Sequence, residues 1–223
     1  MTELAIYDMD RTVTRTGTYT PFLIHAALRL APWRLALLPL ALLAMLAYAA
    51  RLITRGRLKE INQHLLLGPH VAPGELAPVT ASFAEKVAAT NILPGALRQI
   101  AADRAAGRRL VLATASYRLY VEAIAARLGF DDVIATNSII GLDSRVTAKI
   151  DGENCYGPAK LRMIQAWMAS HGIARGDVRI RFYSDHQSDA PVMAWADDPF
   201  AANPNPRMRR LAATRGWGIV DWR

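Results

Sequence analysis

Short, largely apolar runs that end abruptly in polar residues recur along this chain. The first covers residues 4–7 and stops at Asp8 and Asp10. A run of this kind is typical of a buried strand that delivers polar side chains at its carboxyl end. Three later runs follow the same pattern, and they cover residues 110–113, 133–135 and 180–183. The pattern predicts a strand at each of the four places.

Segments with helical periodicity separate these strands. They cover residues 96–106, 120–128 and 159–171, and a glycine follows each one, where a left-handed C-cap is favoured. Alternating strands and helices favour a Rossmann-like, three-layer α/β fold, in which ligands bind beyond the carboxyl ends of parallel strands. Residues 138–153 lack helical periodicity and contain turn-forming glycines, which indicates a small hairpin or an irregular loop.

The chain length limits how many domains the protein can contain. With 223 residues there is room for one sizeable core and a smaller appended module. Residues 15–90 interrupt the alternation of strands and helices and are mostly helical in pattern. We therefore expect a core formed by residues 1–14 and 91–223, with residues 15–90 inserted as a helical cap.

The predicted cap contains the most apolar part of the chain, residues 22–53. Within it, residues 35–50 read LALLPLALLAMLAYAA, sixteen positions without a charge. As a helix this run would extend about 24 Å, less than the roughly 30 Å of a bilayer hydrocarbon core, and Pro39 would bend it. A simple single membrane span is therefore not expected.

Basic residues surround this apolar segment and suggest what it contacts. Seven Lys or Arg residues and no Asp or Glu lie between residues 15 and 59. An apolar helix or helical hairpin with a basic collar fits insertion into an anionic leaflet. The alternative is a soluble cap whose apolar faces pack together or form a dimer interface. Membrane association is favoured, because an all-round apolar helix is difficult to bury in so small a module.

The composition narrows the class of partner. A net charge of +8 favours an anionic partner such as a phosphate ester, an acidic lipid or nucleic acid. Nucleic acid is not expected, because the charge clusters beside aliphatic rather than aromatic residues. The single cysteine, Cys155, excludes an internal disulfide and fits a reducing compartment. The first ten residues include acidic and no basic residues, unlike a secretory signal, so we expect a cytoplasmic location.

Two aspartates placed two positions apart, directly after a strand, suit one chemistry. One carboxylate can attack phosphorus and become an acyl phosphate, while the other protonates the leaving alcohol and later activates water. Mg²⁺ suits such a site, because hard oxygen ligands hold it and it offsets repulsion between carboxylate and phosphate. Asp8 and Asp10 are therefore candidates for a phosphatase site.

The run DMDRT at residues 8–12 resembles the first motif of the haloacid dehalogenase-like (HAD) phosphatases, DxDx[TV]. The resemblance implies that Asp8 is the nucleophile and Asp10 the general acid and base. It also implies a Mg²⁺ cofactor bound by Asp8, Asp10 and Asp185. A parallel-sheet core with an inserted cap is the fold that this family implies.

Three further motifs of that family follow in order. Thr114, which ends the run LVLAT, resembles the second motif, and Lys160 near a helix start resembles the third. The resemblance implies that both bind the phosphoryl group of the substrate. Ser116 could also touch the substrate, or it could cap the following helix. The run at residues 183–189 resembles the acidic fourth motif, in which Asp189 supports the metal or the lysine.

Other features are similar to particular branches of the family. Arg11 and Ser184 stand at positions where most of the family has glycine. The same departures from glycine occur in the phosphoserine phosphatase-like branch, subfamily IB, which the chain therefore resembles. The resemblance implies a helical cap of the C1 type. The apolar, basic insertion resembles that of bacterial C-type phosphatidylglycerophosphate phosphatases. This implies a phosphatase for a lipid headgroup, peripheral or monotopic on the inner face of the cytoplasmic membrane. The alternatives are a soluble phosphatase for phosphoserine or histidinol phosphate and an inactive binding module, although the intact motif residues count against the last.

Overall fold

A computed structural model describes residues 2–223 of the chain. A single sheet runs through the molecule. Met1, the first residue of the predicted core, lies outside the described residues. Six strands run parallel in the order β4-β3-β1-β6-β7-β8, and β5 and β2 extend one edge in antiparallel orientation. The strands are β1 (Thr2–Tyr7), β2 (His70–Val71), β3 (Arg109–Tyr117), β4 (Asp132–Ile140), β5 (Val146–Asp151), β6 (Val178–Ser184), β7 (Asp198–Ala202) and β8 (Gly218–Val220).

Helices cover both faces of this sheet, which confirms the predicted α/β fold. They are α1 (Tyr19–Leu30), α2 (Leu38–Ala49), α3 (Arg55–Leu66), α4 (Pro73–Thr90), α5 (Pro94–Ala105), α6 (Arg118–Leu128), α7 (Pro158–Ser170), α8 (Ala190–Trp195) and α9 (Pro206–Arg215). Gly129 ends α6 with a φ of 75°, the left-handed conformation that glycine adopts without steric cost.

Side-chain alternation along β1 divides the core into two layers. Ala5 and Tyr7 point to one face of the sheet, where they pack with α4, α5 and α6. Leu4 and Ile6 point to the other, where they pack with α7, α8 and α9. Because successive side chains of a strand alternate between faces, a strand covered on both sides must be apolar throughout. This is why residues 4–7 form a continuous apolar run.

Residues 138–153 form a hairpin rather than an irregular loop. Ile140 of β4 pairs with Val146 of β5 in antiparallel register. The main-chain N of Ser144 donates to the carbonyl oxygen of Gly141 at 2.9 Å and closes the turn. The hairpin extends the sheet beneath the inserted helices.

Residues 15–90 contain α1 to α4 and the short strand β2, and both α3 and α4 contact the core. The main-chain N of Ile150, in β5, donates to Glu60 Oε1 of α3 at 3.1 Å. Phe83 of α4 meets Tyr120 of α6 edge to face, with ring centroids 5.7 Å apart. The last inserted helix therefore packs on α6 of the core, and the boundary of the cap at residue 90 stays a prediction.

The apolar run is divided into two helical pieces. A 3-10 helix covers Pro32–Leu37, and α2 begins at Leu38, so that Pro39 lies in the first helical turn, where its missing N–H is tolerated. The stretch Pro32–Ala49 passes a length and composition test for a membrane span, with a mean hydropathy of 1.5, and only 11% of it is buried. In α2 only Ala41 and Ala44 are buried. Most of this helix therefore presents apolar side chains to the outside of the molecule.

Candidate active site

The carboxyl ends of β1 and β6 place Asp8 and Asp185 side by side. The main-chain N of Asp8 donates to the carbonyl oxygen of Tyr183 at 2.9 Å, which continues the ladder between these strands. Thr12 connects the two acids, because its Oγ1 lies 3.1 Å from Asp8 Oδ2 and 3.4 Å from Asp185 Oδ1. The main-chain N of Asp185 donates back to Thr12 Oγ1 at 3.0 Å. Thr12 thus sets the spacing of the two carboxylates.

Lys160 enters the same site from the first turn of α7. Its Nζ donates to Asp8 Oδ1 at 2.8 Å and to Asp189 Oδ2 at 2.6 Å. Ser184 Oγ donates to the same Asp189 oxygen at 2.8 Å. All of these side chains are buried, so the ammonium is paired with two carboxylates in a region of low dielectric and keeps a third N–H for another acceptor.

Burial raises the pKa values of two acids in this group, Asp8 and Asp185. It is the main reason why the pKa of Asp8 is raised to about 6, with the charge of Asp189 adding to it and Lys160 opposing it. Burial, followed by the charges of Asp8 and Asp189, raises the pKa of Asp185 to about 7. For Lys160, burial opposes the charged form, but the carboxylates of Asp189 and Asp8 outweigh it and raise the pKa. Three carboxylates around one lysine leave an excess of buried negative charge.

Asp10 is held apart from the Lys160 group. Its Oδ1 accepts hydrogen bonds from the main-chain N and the Oγ1 of Thr18, both at 2.8 Å. Its Oδ2 accepts from Ser116 Oγ at 2.8 Å. Thr18 Oγ1 lies 3.0 Å from the hydroxyl of Tyr120. These hydrogen bonds hold the Asp10 carboxyl group in one orientation.

The structure separates the two predicted hydroxyl ligands of the second motif. Thr114 is buried at the base of the cleft, and its Oγ1 accepts from the main-chain N of Ser116 at 3.1 Å. Ser116 does not line the cleft. It does not cap α6 either, because Tyr117 holds that position and makes no side-chain cap. Ser116 supports Asp10 instead, and its contact with substrate stays a prediction.

A cleft of about 570 Å³ opens over these residues, between the sheet edge and the inserted helices. Its volume lies in the range of small-molecule sites, about 300–1,000 Å³. The cap contributes Tyr19, Thr20 and Pro21 from the start of α1, and Arg55 from the start of α3. The guanidinium carbon of Arg55 lies 4.1 Å from the ring centroid of Tyr156 on the core side. Cap and core therefore enclose the cleft together.

Arg11 shows why glycine is common at its position. Its φ is 65°, in the left-handed region, where a non-glycine residue costs about 1–2 kcal/mol. The loop is held from outside, because Asn203 Nδ2 donates to the carbonyl oxygen of Thr12 at 3.1 Å. Arg11 also lines the cleft, so its side chain adds positive charge beside Asp8.

Lys59 does not belong to the basic collar that the sequence suggested. It is buried, its Nζ donates to the carbonyl oxygen of Ala115 at 2.6 Å and to Asn154 Oδ1 at 2.9 Å, and it lies over the ring of Tyr117. Burial, aided by the charge of Arg55, lowers the pKa of Lys59 to about 7. The collar interpretation was wrong for this residue, because α3 turns it inward against the core.

The carboxylates of the site can be compared with the ligands that Mg²⁺ prefers. Over residues 2–223, no three His, Cys, Asp or Glu side chains converge into a ligand cluster. Mg²⁺ does not require one, since it is commonly held by one or two carboxylates together with water and substrate phosphate. Asp8 and Asp185 supply such a pair, and the buried Oδ1 of Asp189 lacks a hydrogen-bond partner. The residues fit a hard cation, with the Asp10 carboxylate engaged elsewhere.

Several residues of this site were not assigned from the sequence. Thr12 was quoted as part of the first motif, but its contact with Asp185 depends on two strands meeting. Thr18 and Arg55 come from the cap, and nothing in their local sequence indicates that Thr18 holds Asp10 or that Arg55 reaches the cleft. Ser184 was noted only as a departure from glycine, and its hydroxyl proves to contact Asp189.

Comparison with known proteins identifies the family. The family model described as haloacid dehalogenase-like hydrolase matches residues 5–194. The chain therefore belongs to the haloacid dehalogenase-like hydrolases, as the four motifs predict. Its relatives named as phosphatases agree with the expected class of enzyme, a phosphoric monoester hydrolase.

Two relatives show how far sequence similarity extends. The chain is 37% identical over 117 residues to the "Inhibition of morphological differentiation protein" of Streptomyces azureus, covering 52% of this chain and 41% of that protein. It is 22% identical over 161 residues to a histidinol-phosphatase of Neisseria meningitidis, covering 69% and 72% of the two chains. The chain thus spans less than half the length of the first of these relatives.

Two solved structures show the fold. A Bordetella pertussis Tohama I protein of unknown function superposes with a TM-score of 0.90 and 28% identity, and all of both chains is covered. A phosphoserine phosphatase in a phospho-aspartyl intermediate analogue form superposes with a TM-score of 0.63 and 15% identity, covering 100% and 94% of the two chains. The predicted phosphoserine phosphatase-like fold is confirmed.

Proposed function

We propose that this protein is a magnesium-dependent phosphomonoesterase that forms an aspartyl-phosphate on Asp8. The observation that carries the proposal is the buried Asp8–Lys160–Asp189 contact at the base of a cleft that Asp10 also lines and the cap covers. A carboxylate that is buried, held by a lysine and open to a cleft has the surroundings of a nucleophile.

In the first half of the reaction an oxygen of Asp8 attacks phosphorus. The new oxygen–phosphorus bond forms while the bond from phosphorus to the substrate oxygen breaks, and Asp10 gives its proton to the leaving alkoxide. Lys160 Nζ and Thr114 Oγ1 stabilise charge on the phosphoryl oxygens. Thr18 and Ser116 keep Asp10 in place for this transfer.

In the second half, Asp10 accepts a proton from water. The water oxygen attacks phosphorus, the bond to Asp8 breaks, and inorganic phosphate and the Asp8 carboxylate are released. Asp10 regains the proton it gave up, so the cycle closes. Asp189 holds Lys160 at 2.6 Å and acts as a positioning residue.

Asp8 and Asp185 would hold the magnesium ion, which when bound offsets repulsion between carboxylate and phosphate. The carboxylate of Asp10 accepts three hydrogen bonds from Thr18 and Ser116, and its predicted contact with the metal stays a prediction.

The proposed substrate is a lipid phosphomonoester such as phosphatidylglycerophosphate, reached on the cytoplasmic face of a membrane. Support comes from the outward side of the apolar run, where large side chains stay exposed. They are Trp33 at 64%, Leu40 at 50%, Leu43 at 59%, Leu46 at 57% and Leu52 at 77%. We call these five residues the outward apolar face. Large apolar side chains exposed this often within one short stretch of chain indicate contact with lipid or protein.

A soluble phosphomonoester is the second candidate substrate. Relatives and structural neighbours carry the names histidinol-phosphatase and phosphoserine phosphatase. Arg55 at the cleft wall, stacked on Tyr156, could pair with a second anionic group of a small substrate. A small metabolite would need neither the outward apolar face nor a membrane.

The test measures magnesium-dependent phosphate release from phosphatidylglycerophosphate in mixed micelles, phosphoserine and histidinol phosphate. The lipid proposal expects a kcat/KM at least tenfold higher for the lipid, and loss of all activity in Asp8→Asn. A preference for either soluble ester would support the second candidate. Activity that survives in Asp8→Asn would refute the proposed nucleophile.

Membrane contact has its own measurement. The double variant Leu40→Gln, Leu46→Gln should sediment less with anionic vesicles than the wild type. Leu97→Gln is the matched control, since Leu97 is 45% exposed on α5, away from the cap. Equal sedimentation of all three proteins would contradict a role for the outward apolar face.

A further inference from the structure

A further pocket opens at the surface of the cap, between α1, α2 and α3. Its volume is about 460 Å³, and almost all of its wall is apolar. The residues that line it include Leu23, Leu38, Leu42, Met45, Asn62 and Leu66. Leu38, Leu42 and Met45 recur at a spacing of three or four, so they form one side of α2. This side differs from the outward apolar face, and we call the cavity the cap pocket.

The cap pocket adjoins the active-site cleft. Thr20, in the first turn of α1, lines both of them. Its neighbours Tyr19 and Pro21 face the cleft, and Leu23, one turn further, faces the pocket. The cleft and the pocket therefore share a rim at Thr20.

One side of α3 connects the same two regions. Arg55 lines the cleft, Lys59 contacts the core, and Asn62 and Leu66 line the cap pocket. At 1.5 Å per residue, Arg55 and Leu66 lie about 17 Å apart along the helix axis. The wall changes along this length from a guanidinium to an aliphatic side chain. Charge is thus placed at the cleft end and apolar surface at the far end.

Asn62 supplies a separate indication that a ligand belongs here. Its side chain is 7% exposed, and its buried Oδ1 has no hydrogen-bond partner among the described residues. A buried polar atom without a partner lowers stability. A substrate that carries a hydroxyl group next to its hydrocarbon chain would supply a donor for this oxygen.

We infer that the cap pocket binds one hydrocarbon chain of a phosphate-monoester substrate while the phosphate occupies the cleft beside Lys160. The inference deepens the proposed function, on which it rests, by making a single-chain or acylated phosphomonoester the preferred ligand. It assigns to the side of α2 that bears Leu42 a substrate contact, separate from any membrane contact of the outward apolar face.

The test uses soluble alkyl phosphates from butyl to decyl, each kept below its micelle-forming concentration. Their binding to the Asp8→Asn protein is measured by calorimetry, so that no ester is consumed. Each methylene that enters the cap pocket should lower the Kd about fourfold, from roughly 0.8 kcal/mol per buried CH₂. Binding should also show a negative heat-capacity change that grows with chain length.

Two further variants, each combined with Asp8→Asn, locate the effect. Leu42→Gln should flatten the dependence on chain length. Leu28→Gln should leave this dependence unchanged, because Leu28 lies on α1 outside the pocket. The two positions are matched in exposure, since Leu28 is 53% exposed and Leu42 is 56% exposed. Since both side chains are half exposed, neither change removes core packing, and circular dichroism confirms folding.

The outcomes separate the two proposals. Equal affinity for butyl and decyl phosphate, or equal flattening in both variants, would overturn the cap pocket as a chain site. In that case magnesium-dependent phosphate release by the wild type would still support the phosphatase. If affinity rises with the length of the alkyl chain but the wild type releases no phosphate, the cap pocket is supported and the proposed function is refuted.

Discussion

Removing the charge of Asp185 should stabilise the metal-free protein, although it removes a proposed magnesium ligand. Asp185 is 6% exposed and lies next to Asp8, with a single lysine between Asp8 and Asp189. The variant Asp185→Asn keeps the shape of the side chain and removes its charge. The main-chain N of residue 185 can still donate to Thr12 Oγ1, as it does at 3.0 Å in the wild type.

The magnitude follows from the pKa of this carboxyl, which burial and its acidic neighbours raise from 3.8 to about 7. A pKa that is higher in the folded state means that the ionised form costs stability. The cost is absent below pH 3.8, grows as the pH rises to about 7, and is constant above that. Three pKa units correspond to about 4 kcal/mol, of which a neutral amide should recover about 2–4 kcal/mol at pH 8.

Thermal unfolding in EDTA measures this gain. For a chain of this length each kcal/mol shifts Tm by about 2–4 °C, so Asp185→Asn should raise Tm by on the order of 10 °C at pH 8. At pH 4.5 the gain should fall to about 1 kcal/mol or less. Magnesium at a hundred times its Kd should stabilise the wild type by about 2.7 kcal/mol and the variant far less.

Asp177→Asn is the control, because it removes one negative charge from an exposed position. It should change Tm little at either pH. The reasoning would be refuted if Asp185→Asn lowered Tm in EDTA at pH 8, or if its gain were the same at pH 4.5 and pH 8.

Three further changes have defined outcomes. Lys160→Met leaves two buried carboxylates without a cation and should cost about 3–5 kcal/mol in urea unfolding at pH 8; an unchanged midpoint would contradict the buried ion pairs. Arg55→Gln should raise KM for a doubly anionic soluble ester while p-nitrophenyl phosphate keeps its KM, and an equal change for both would assign the Arg55 contact with Tyr156 to folding. Gly95→Ala should lower stability by about 1–3 kcal/mol in thermal unfolding, because a Cβ would lie 2.5 Å from Cα of Trp222; a stability equal to the wild type would show that the C-terminal segment moves freely.

Local pattern was sufficient for the α/β core. The predicted strand at residues 4–7 is part of β1, and the predicted helix at residues 120–128 is part of α6, with Gly129 as its cap. These features depend on burial and periodicity over a few residues, which the sequence displays directly. The positions of Asp8 and Asp185 at strand ends followed from the same pattern.

The cap was less predictable, because its packing depends on contacts between distant segments. Lys59 and Arg55 are four residues apart in one basic stretch, yet Lys59 is buried against Ala115 and Arg55 faces the cleft. Charge and hydropathy are alike for the two. Only the direction in which α3 meets the core distinguishes them.

The amino-acid sequence by itself determined the class of fold and the residues available for chemistry, since strand ends and helix starts are local properties. The tertiary structure decided how those residues are used. It placed Asp10 on Thr18 and Ser116, away from Lys160, and it divided the apolar run between an outward face and a pocket side. A helix that is apolar all round carries no mark of which side faces a neighbour. That choice is made only when α1, α2 and α3 pack together.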